Sequence, residues 1–378
     1  MRVILRDTTL REGIQMPGSK ITLDEKREFI SLLDAIGVPE IEIGLPDGVA
    51  ACLEVADLIR ESGCSIKATA LIPFYTDRWN RQILQAAEHG IHRVDILGPT
   101  SDQLLSNQSL YGMRVEEIRA RLEPVVVHAR KTSMEIGVGL IDATRTPLER
   151  LIPIVEPLRK MGVSRIVLYD SVGIMIPAKM TKLVQDLIAV SGIAVLVHCH
   201  NDYGMATANS LAAVEGGATA IDVAINGVGG RAGNAALEEV ALGLQNLYGI
   251  STGIDTRRFR EISAFTERIT NIRNSPTKPI VGDFCFAHLP VMHIRCIAGG
   301  NPQAFEPYPP EQVGTKRTYH FSLPVDYTGA LEPFFSKSGC TSNREDAQRL
   351  LSLLREKDGW TEEEIISLIK SNIVELKS

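Results

Sequence analysis

Short apolar runs rich in β-branched residues alternate with stretches whose apolar positions recur every three or four residues. Eight runs read as strands: residues 3–6, 40–44, 66–71, 92–97, 134–140, 164–169, 193–197 and 220–225. The helical stretches between and after them cover residues 23–36, 49–61, 77–88, 115–132, 147–161, 178–190, 205–215 and 235–247. Strands alternating with helices of this length make βαβ units and a parallel sheet. Eight such units within about 250 residues are the arithmetic of a closed (β/α)8 barrel. A doubly wound open sheet is the alternative. Beyond that the rhythm stops: residues 255–273 read as a helix, residues 276–333 as a stretch interrupted by Pro and Gly, and residues 343–353 and 361–376 as two helices. Thr361 ahead of Glu362, Glu363 and Glu364 supplies a cap and acids at the positive end of a helix dipole. The predicted division is an α/β barrel over residues 1–275 and a linker with a mostly helical C-terminal subdomain over residues 276–378.

Composition narrows the class. A 44% hydrophobic content in 378 residues fills a large core, and a net charge of −6 with both signs mixed lacks the basic stripe of a nucleic-acid partner. The N-terminal residues lack the charged and apolar regions of a signal peptide. No apolar run reaches the roughly 18 residues of a membrane span. Six scattered cysteines fit reduced thiols, and hence the cytoplasm, better than a disulfide framework.

In a barrel of this kind chemistry sits where strands end. The first strand runs into Arg6, Asp7, Thr8, Thr9, Arg11, Glu12 and Gln15. The second ends at Glu42, the sixth at Asp170 and Ser171, the seventh at His198 and His200, and the eighth at Asn226, ahead of a glycine-rich loop and Asn234. Two histidines two apart on a strand face the same side. With a carboxylate, Glu12 or Asp7, they suit zinc, manganese, iron or cobalt. Arg11 beside Glu12 is placed to stabilise an enolate oxygen, and a glycine-rich loop ahead of a helix offers N–H groups to an anion. Against these stand plainer readings: polar residues at a strand end, a solvated Arg–Glu pair, an ordinary turn. Lys316, Arg317 and Arg295 are candidates for CoA phosphates and equally ordinary surface charge.

Residues 6–15, 198–210 (HCHNDYGMATANS) and 226–240 (NGVGGRAGNAALEEV) resemble the DRE-TIM metallolyases, above all the homocitrate synthase, 2-isopropylmalate synthase and citramalate synthase group. The resemblance spans the barrel and continues more faintly through residues 282–293 and 305–317. It implies a divalent metal (zinc, manganese, magnesium, iron or cobalt) on Glu12, His198 and His200 with Asn234 nearby. Arg11 would polarise the keto oxygen of a 2-oxo acid, and Ser171 would hold its carboxylate. Gln15, Glu42, Asp170 and Asn226 complete the substrate-binding set. His293 would serve the acyl-CoA half of a Claisen-type condensation, in a homodimer whose subdomain reaches a neighbour's barrel. Departures from the pattern are Ile141 where a glutamate is usual, Gly137 where homocitrate synthases carry an arginine, and Phe305 where a tyrosine is usual. They keep open a metal-dependent lyase or aldolase of the same superfamily. A non-catalytic relative is the third reading. The small residues Gly137 and Gly139, with Ile141, Leu71 and Asp102, are expected to line the pocket mouth and set substrate choice.

Overall fold

The computed structural model describes residues 2–48, 52–107, 109, 111–341 and 343–374. It divides into two compact units, Met1–Asp255 with Ile262–Arg273, and Thr256–Glu261 with Asn274–Ser378.

In the first unit eight parallel strands close into a barrel: β1 (Ile4–Asp7), β2 (Glu40–Glu42), β3 (Lys67–Pro73), β4 (Arg93–Pro99), β5 (Glu135–Ile141), β6 (Arg165–Asp170), β7 (Ala194–Cys199) and β8 (Ala220–Val223). Each pairs with the next, and β8 returns to β1 through Ile4↔Ala220 and Asp7↔Val223. Every second side chain points inward. At the strands' N-terminal ends the interior holds the ion pair Arg165–Glu40 at 2.5 Å, and the buried Arg93 reaches the exposed Glu135 at the rim. Above them Val167, Tyr169, Leu196 and Ala220 form an apolar layer with Ile4. The alternative of a doubly wound open sheet is excluded by the β8–β1 ladder.

The helices keep the expected order, with ends that differ from expectation by one to several residues. They are α1 (Thr9–Gly13), α2 (Leu23–Ala35), α3 (Cys52–Ser62), α4 (Trp79–Glu88), α5 (Asp102–Leu105), α6 (Ile118–Ala129), α7 (Leu148–Val155), α8 (Pro177–Ser191), α9 (Ala206–Glu215), α10 (Leu237–Tyr248) and α11 (Phe259–Thr270). Local chemistry sets several ends. Thr22 and Glu25 form a capping box at α2, and α8 starts on Pro177 and stops at the left-handed Gly192. The helix expected over residues 147–161 stops at Val155, because Pro157 has no N–H to continue it. The start expected at residue 49 lies outside the described residues. The eighth strand ends two residues early, at Val223, where the chain enters the turn Ile225–Gly227 with Asn226 at φ 61°.

The second unit contains α12 (Val291–Ala298), α13 (Thr328–Ser338), α14 (Arg344–Leu354), α15 (Glu362–Ile369) and a short parallel pair, β9 (Ala287–His288) with β10 (Thr318–Tyr319). Tyr319, Phe321, Phe334, Leu350 and Ile365 are among its buried core. The stretch over residues 276–333 is thus more ordered than its Pro and Gly content predicts. Helix α13 runs through Pro333. An interior proline costs about 3 kcal/mol. Leu331, Phe334 and Phe335, all buried on one face, each return roughly 1.5–3 kcal/mol.

Candidate metal centre

The site is built from the ends of β1, β2, β7 and β8. At the end of β1 the buried Asp7 accepts from Thr9 N–H (3.0 Å) and Thr9 Oγ1 (2.7 Å), which turns the chain into α1. Thr9 Oγ1 in turn accepts from Ile225 N–H at 2.8 Å, tying this turn to the end of β8. Burial pushes the Asp7 carboxyl up to about 7, against the Thr9 hydrogen bonds. Asp7 is therefore committed to the turn, and Glu12, one helical turn further, supplies the carboxylate.

Ligand atoms of Glu12, His198 and His200 lie within 4.8 Å of one another. His198 and His200 alternate with the outward, buried Cys199 on the strand end. Each imidazole is oriented from behind: His198 Nδ1 by Asp222 Oδ2 at 3.0 Å, His200 Nδ1 by the Asp170 carbonyl at 3.1 Å. A proton on each Nδ1 leaves each Nε2 with a lone pair for a cation, the arrangement of ligating histidines. His198 Nε2 is buried, has no hydrogen-bond partner and lies 3.7 Å from Glu12 Oε1. Burial, helped by His198, pushes His200 down to about 4, so it is neutral at pH 7. Burial alone would raise Glu12, but Arg11, His198 and His200 outweigh it and hold the carboxyl near 2.

Arg11 bonds Glu12 through Nη1 and reaches Glu42 Oε2 through Nε at 2.9 Å. Glu42 is itself fixed by Gly44 N–H at 2.7 Å. The solvated-pair reading of Arg11 and Glu12 is thereby excluded: their side chains are 15% and 1% exposed. Asn234 lies in a bridge with His200, donates Nδ2 to the Val228 carbonyl at 3.1 Å and leaves a buried Oδ1 without a partner. Gly229, at φ 152°, admits this packing, since a Cβ there would meet Asn234 Nδ2 at 2.0 Å and Glu12 Oε2 at 3.0 Å. Two imidazoles, a carboxylate and an unpartnered amide oxygen suit a divalent transition metal.

The other predicted residues make further contacts. The Asp170 carboxylate accepts from Thr144 Oγ1 and from the N–H groups of Ile174 and Met175, holding its own loop. Asn226 binds Ser263 through both ends of its amide. Ser171 Oγ accepts from Asp142 N–H at 2.8 Å, and Gln15 is exposed on the turn after α1. In the second unit the His293 ring stacks on Phe305, 3.8 Å between centroids, and lies 6.0 Å from the ring of His288. His288 Nε2 meets Glu306 at 3.0 Å, and Arg317 holds the same carboxylate at 2.5 and 2.8 Å. Arg295 is exposed.

Gly137 and Gly139 do not open a pocket mouth, contrary to expectation. Their absent side chains make room for Asp95, Leu97 and Tyr169, and Asp102 faces Arg150. Sequence reasoning placed Arg6 among the polar residues at the end of the first strand but missed its buried partners Asp95 and Asp222. Arg6 Nη1 meets Asp95 at 2.5 Å, and Arg6 Nε and Nη2 meet Asp222 at 2.6 and 3.0 Å. The available signal was a charged residue at an inward position of an otherwise apolar strand.

Residues 2–266 match the family described as HMGL-like. Homocitrate synthase 1 of Nostoc sp. is 33% identical over 98% of this chain and 97% of its own. A 2-isopropylmalate synthase of Methanocaldococcus jannaschii is 37% identical over 84% of this chain and 60% of its own. The crystal structure of the HMG-CoA lyase of Bacillus subtilis superposes with a TM-score of 0.65 at 23% identity, covering 75% of this chain and 98% of that one, a likeness of fold.

Proposed function

This chain belongs to the HMGL-like family, and we propose that it condenses an acyl-CoA, acetyl-CoA first among them, with a 2-oxo acid. A new carbon–carbon bond forms between the acyl methyl carbon and the keto carbon. Water then cleaves the thioester, giving a 2-hydroxy-2-alkyl dicarboxylic acid and free CoA. The observation that carries the reading is the convergence of Arg11 on Glu12 beside His198 and His200 in a barrel whose sequence relatives are named as condensing synthases.

A divalent cation held by Glu12, His198 and His200, with Asn234 beside it, would supply Lewis acidity to the keto oxygen. Arg11, fixed by Glu42, is placed to stabilise the alkoxide charge that develops there. Preorganised charge of this kind acts without reorganisation during the reaction. His293 belongs to the acyl-CoA half in this reading, within a homodimer located in the cytoplasm. Its stacking on Phe305 fixes the ring plane, and Phe305 carries no proton. Proton transfer to or from the thioester half then falls to His293 itself, with the His288–Glu306 pair the nearby titratable group.

A second reading, a lyase or aldolase on the same centre, draws on Ile141 and Phe305, which offer no group for a proton relay. One experiment separates the two. Metal-loaded protein is given acetyl-CoA with a panel of 2-oxo acids, and thiol release is followed. Strong release with one oxo acid supports the synthase. No release with any of them, together with cleavage of a 3-hydroxy acid or 4-hydroxy-2-oxo acid, overturns it in favour of the lyase.

A further inference from the structure

Tyr169 is a side chain that the proposed chemistry leaves unused. It points inward from β6 at the level of His198 on β7, and the two rings lie 5.1 Å apart. Its hydroxyl is buried without a hydrogen-bond partner. An unpaired buried donor is a cost to the fold, and such groups persist where a ligand satisfies them. Strand β5 is trimmed to admit the ring: a Cβ on Gly139 would lie 3.1 Å from Tyr169 Cε2 and 2.9 Å from Leu97 Cβ. One step deeper, a Cβ on Gly137 would lie 2.0 Å from Asp95 Oδ1. The charges of Arg6, Glu42, Asp222 and Asp95 all act on the phenol. Neither arginine nearby is free for a second carboxylate, since Arg6 is matched by Asp95 and Asp222, and Arg11 by Glu12 and Glu42.

We propose that Tyr169 is a specificity-determining residue for the oxo acid: its ring floors the pocket beneath the metal ligands, its hydroxyl donates to the bound 2-oxo acid, and the side group is held to hydrogen, methyl or ethyl. The proposal rests on the condensation reading above. A rigid floor penalises each added methylene by roughly 10- to 200-fold in kcat/KM. A distal carboxylate meets Asp95, Asp222 and Glu42 and neither Arg6 nor Arg11 unpaired, so 2-oxoglutarate is rejected on charge as well as on length.

The test compares wild type, Tyr169→Phe and Tyr169→Ala, each metal-loaded, with glyoxylate, pyruvate, 2-oxobutyrate, 2-oxoisovalerate and 2-oxoglutarate. Thiol release gives kcat/KM, and calorimetry gives binding of each acid without acetyl-CoA. Wild type is expected to favour the short acids over 2-oxoisovalerate and 2-oxoglutarate by at least about tenfold. Tyr169→Phe keeps that order and weakens binding of every acid. Tyr169→Ala moves the preference toward the longer uncharged acid. A wild-type preference for 2-oxoisovalerate or 2-oxoglutarate overturns the proposal, as does an unchanged ranking in a folded Tyr169→Ala protein. Absence of thiol release in all three proteins defeats the condensation reading alone; the binding ranking then still decides the role of Tyr169, and absence of binding as well overturns both.

Discussion

Asp222→Asn tests whether the carboxylate behind His198 belongs to the metal centre. Asp222 is buried on β8, receives the Arg6 guanidinium at 2.6 and 3.0 Å, and receives His198 Nδ1 at 3.0 Å. Burial alone would raise its pKa, but Arg6 and His198 override burial and hold it well below the usual carboxylate range. Asparagine keeps the shape and converts one acceptor into a donor. In either orientation the amide turns an N–H toward Arg6, and in one of them toward His198 as well, while Arg6 keeps only Asp95 as counter-charge. Two separable losses follow. An outer partner of a ligating histidine is worth about 10- to 100-fold in metal affinity, or roughly 1.4–2.8 kcal/mol. Removing one member of a buried ion pair costs about 3–5 kcal/mol of stability. Chelator-competition titration with zinc or manganese reads the first loss, and urea unfolding of the metal-free protein reads the second. Wild-type metal affinity in a folded Asp222→Asn protein would sink the reasoning, because the orientation of His198 would then owe nothing to Asp222.

Glu12→Gln and His198→Ala are each expected to lose bound metal and turnover together, read by elemental analysis beside the thiol assay; full turnover without metal contradicts the mechanism. Gly137→Ala brings a methyl group to 2.0 Å from Asp95 Oδ1, and overpacking of this kind costs about 1–3 kcal/mol. An unchanged urea midpoint would show that Asp95 is free to move. Asp7 titrates near 7 when folded and near 3.8 as a free side chain, so the folded state holds the extra proton between those values. Its contribution to stability is full below 3.8 and is lost as pH rises through 7. Metal-free Asp7→Asn, which cannot ionise, should therefore gain on wild type between pH 4.5 and pH 8 in thermal melts, and a constant gap would refute the shift.

The barrel was legible because its signal is local. Short apolar runs and helices of period 3.6 need no knowledge of register, and His198 with His200 share a face by spacing alone. Tyr169, Asp95, Asp222 and the buried pairing of Arg6 were not legible for a related reason. Arg6 on β1 meets Asp222 on its neighbour β8 but Asp95 on β4, three strands away, and only the stagger of a closed barrel brings those levels together. The two glycines of β5 misled in the same way. Small residues read as open space, whereas Leu97, Asp95 and Tyr169 occupy that space from β4 and β6. The helix through Pro333 escaped because its stabilisation comes from tertiary burial of one face, which outweighs the local penalty.

The charge carried by the barrel centre argues for a dication independently of the ligand geometry. Glu12, Glu42, Asp95 and Asp222 are at most 1% exposed on their side chains, and the cations among them are Arg6 and Arg11. Two guanidinium groups against these four carboxylates leave two negative charges in a region from which water is largely excluded, and the buried Asp7 adds to them as it ionises near pH 7. The ion pairs at the strands' N-terminal ends, Arg165–Glu40 and Arg93–Glu135, balance themselves and do not alter that count. Buried charge is tolerated when it is paired or coordinates a metal, and one divalent ion at Glu12, His198 and His200 offsets the excess of these four carboxylates over Arg6 and Arg11. Binding to the folded state alone, at 100 times its dissociation constant, stabilises the protein by about 2.7 kcal/mol. Manganese or zinc at micromolar concentration should therefore raise the melting temperature, while monovalent salt at equal ionic strength should not. An equal rise with sodium chloride would mean that general screening, rather than a specific dication, answers the surplus charge.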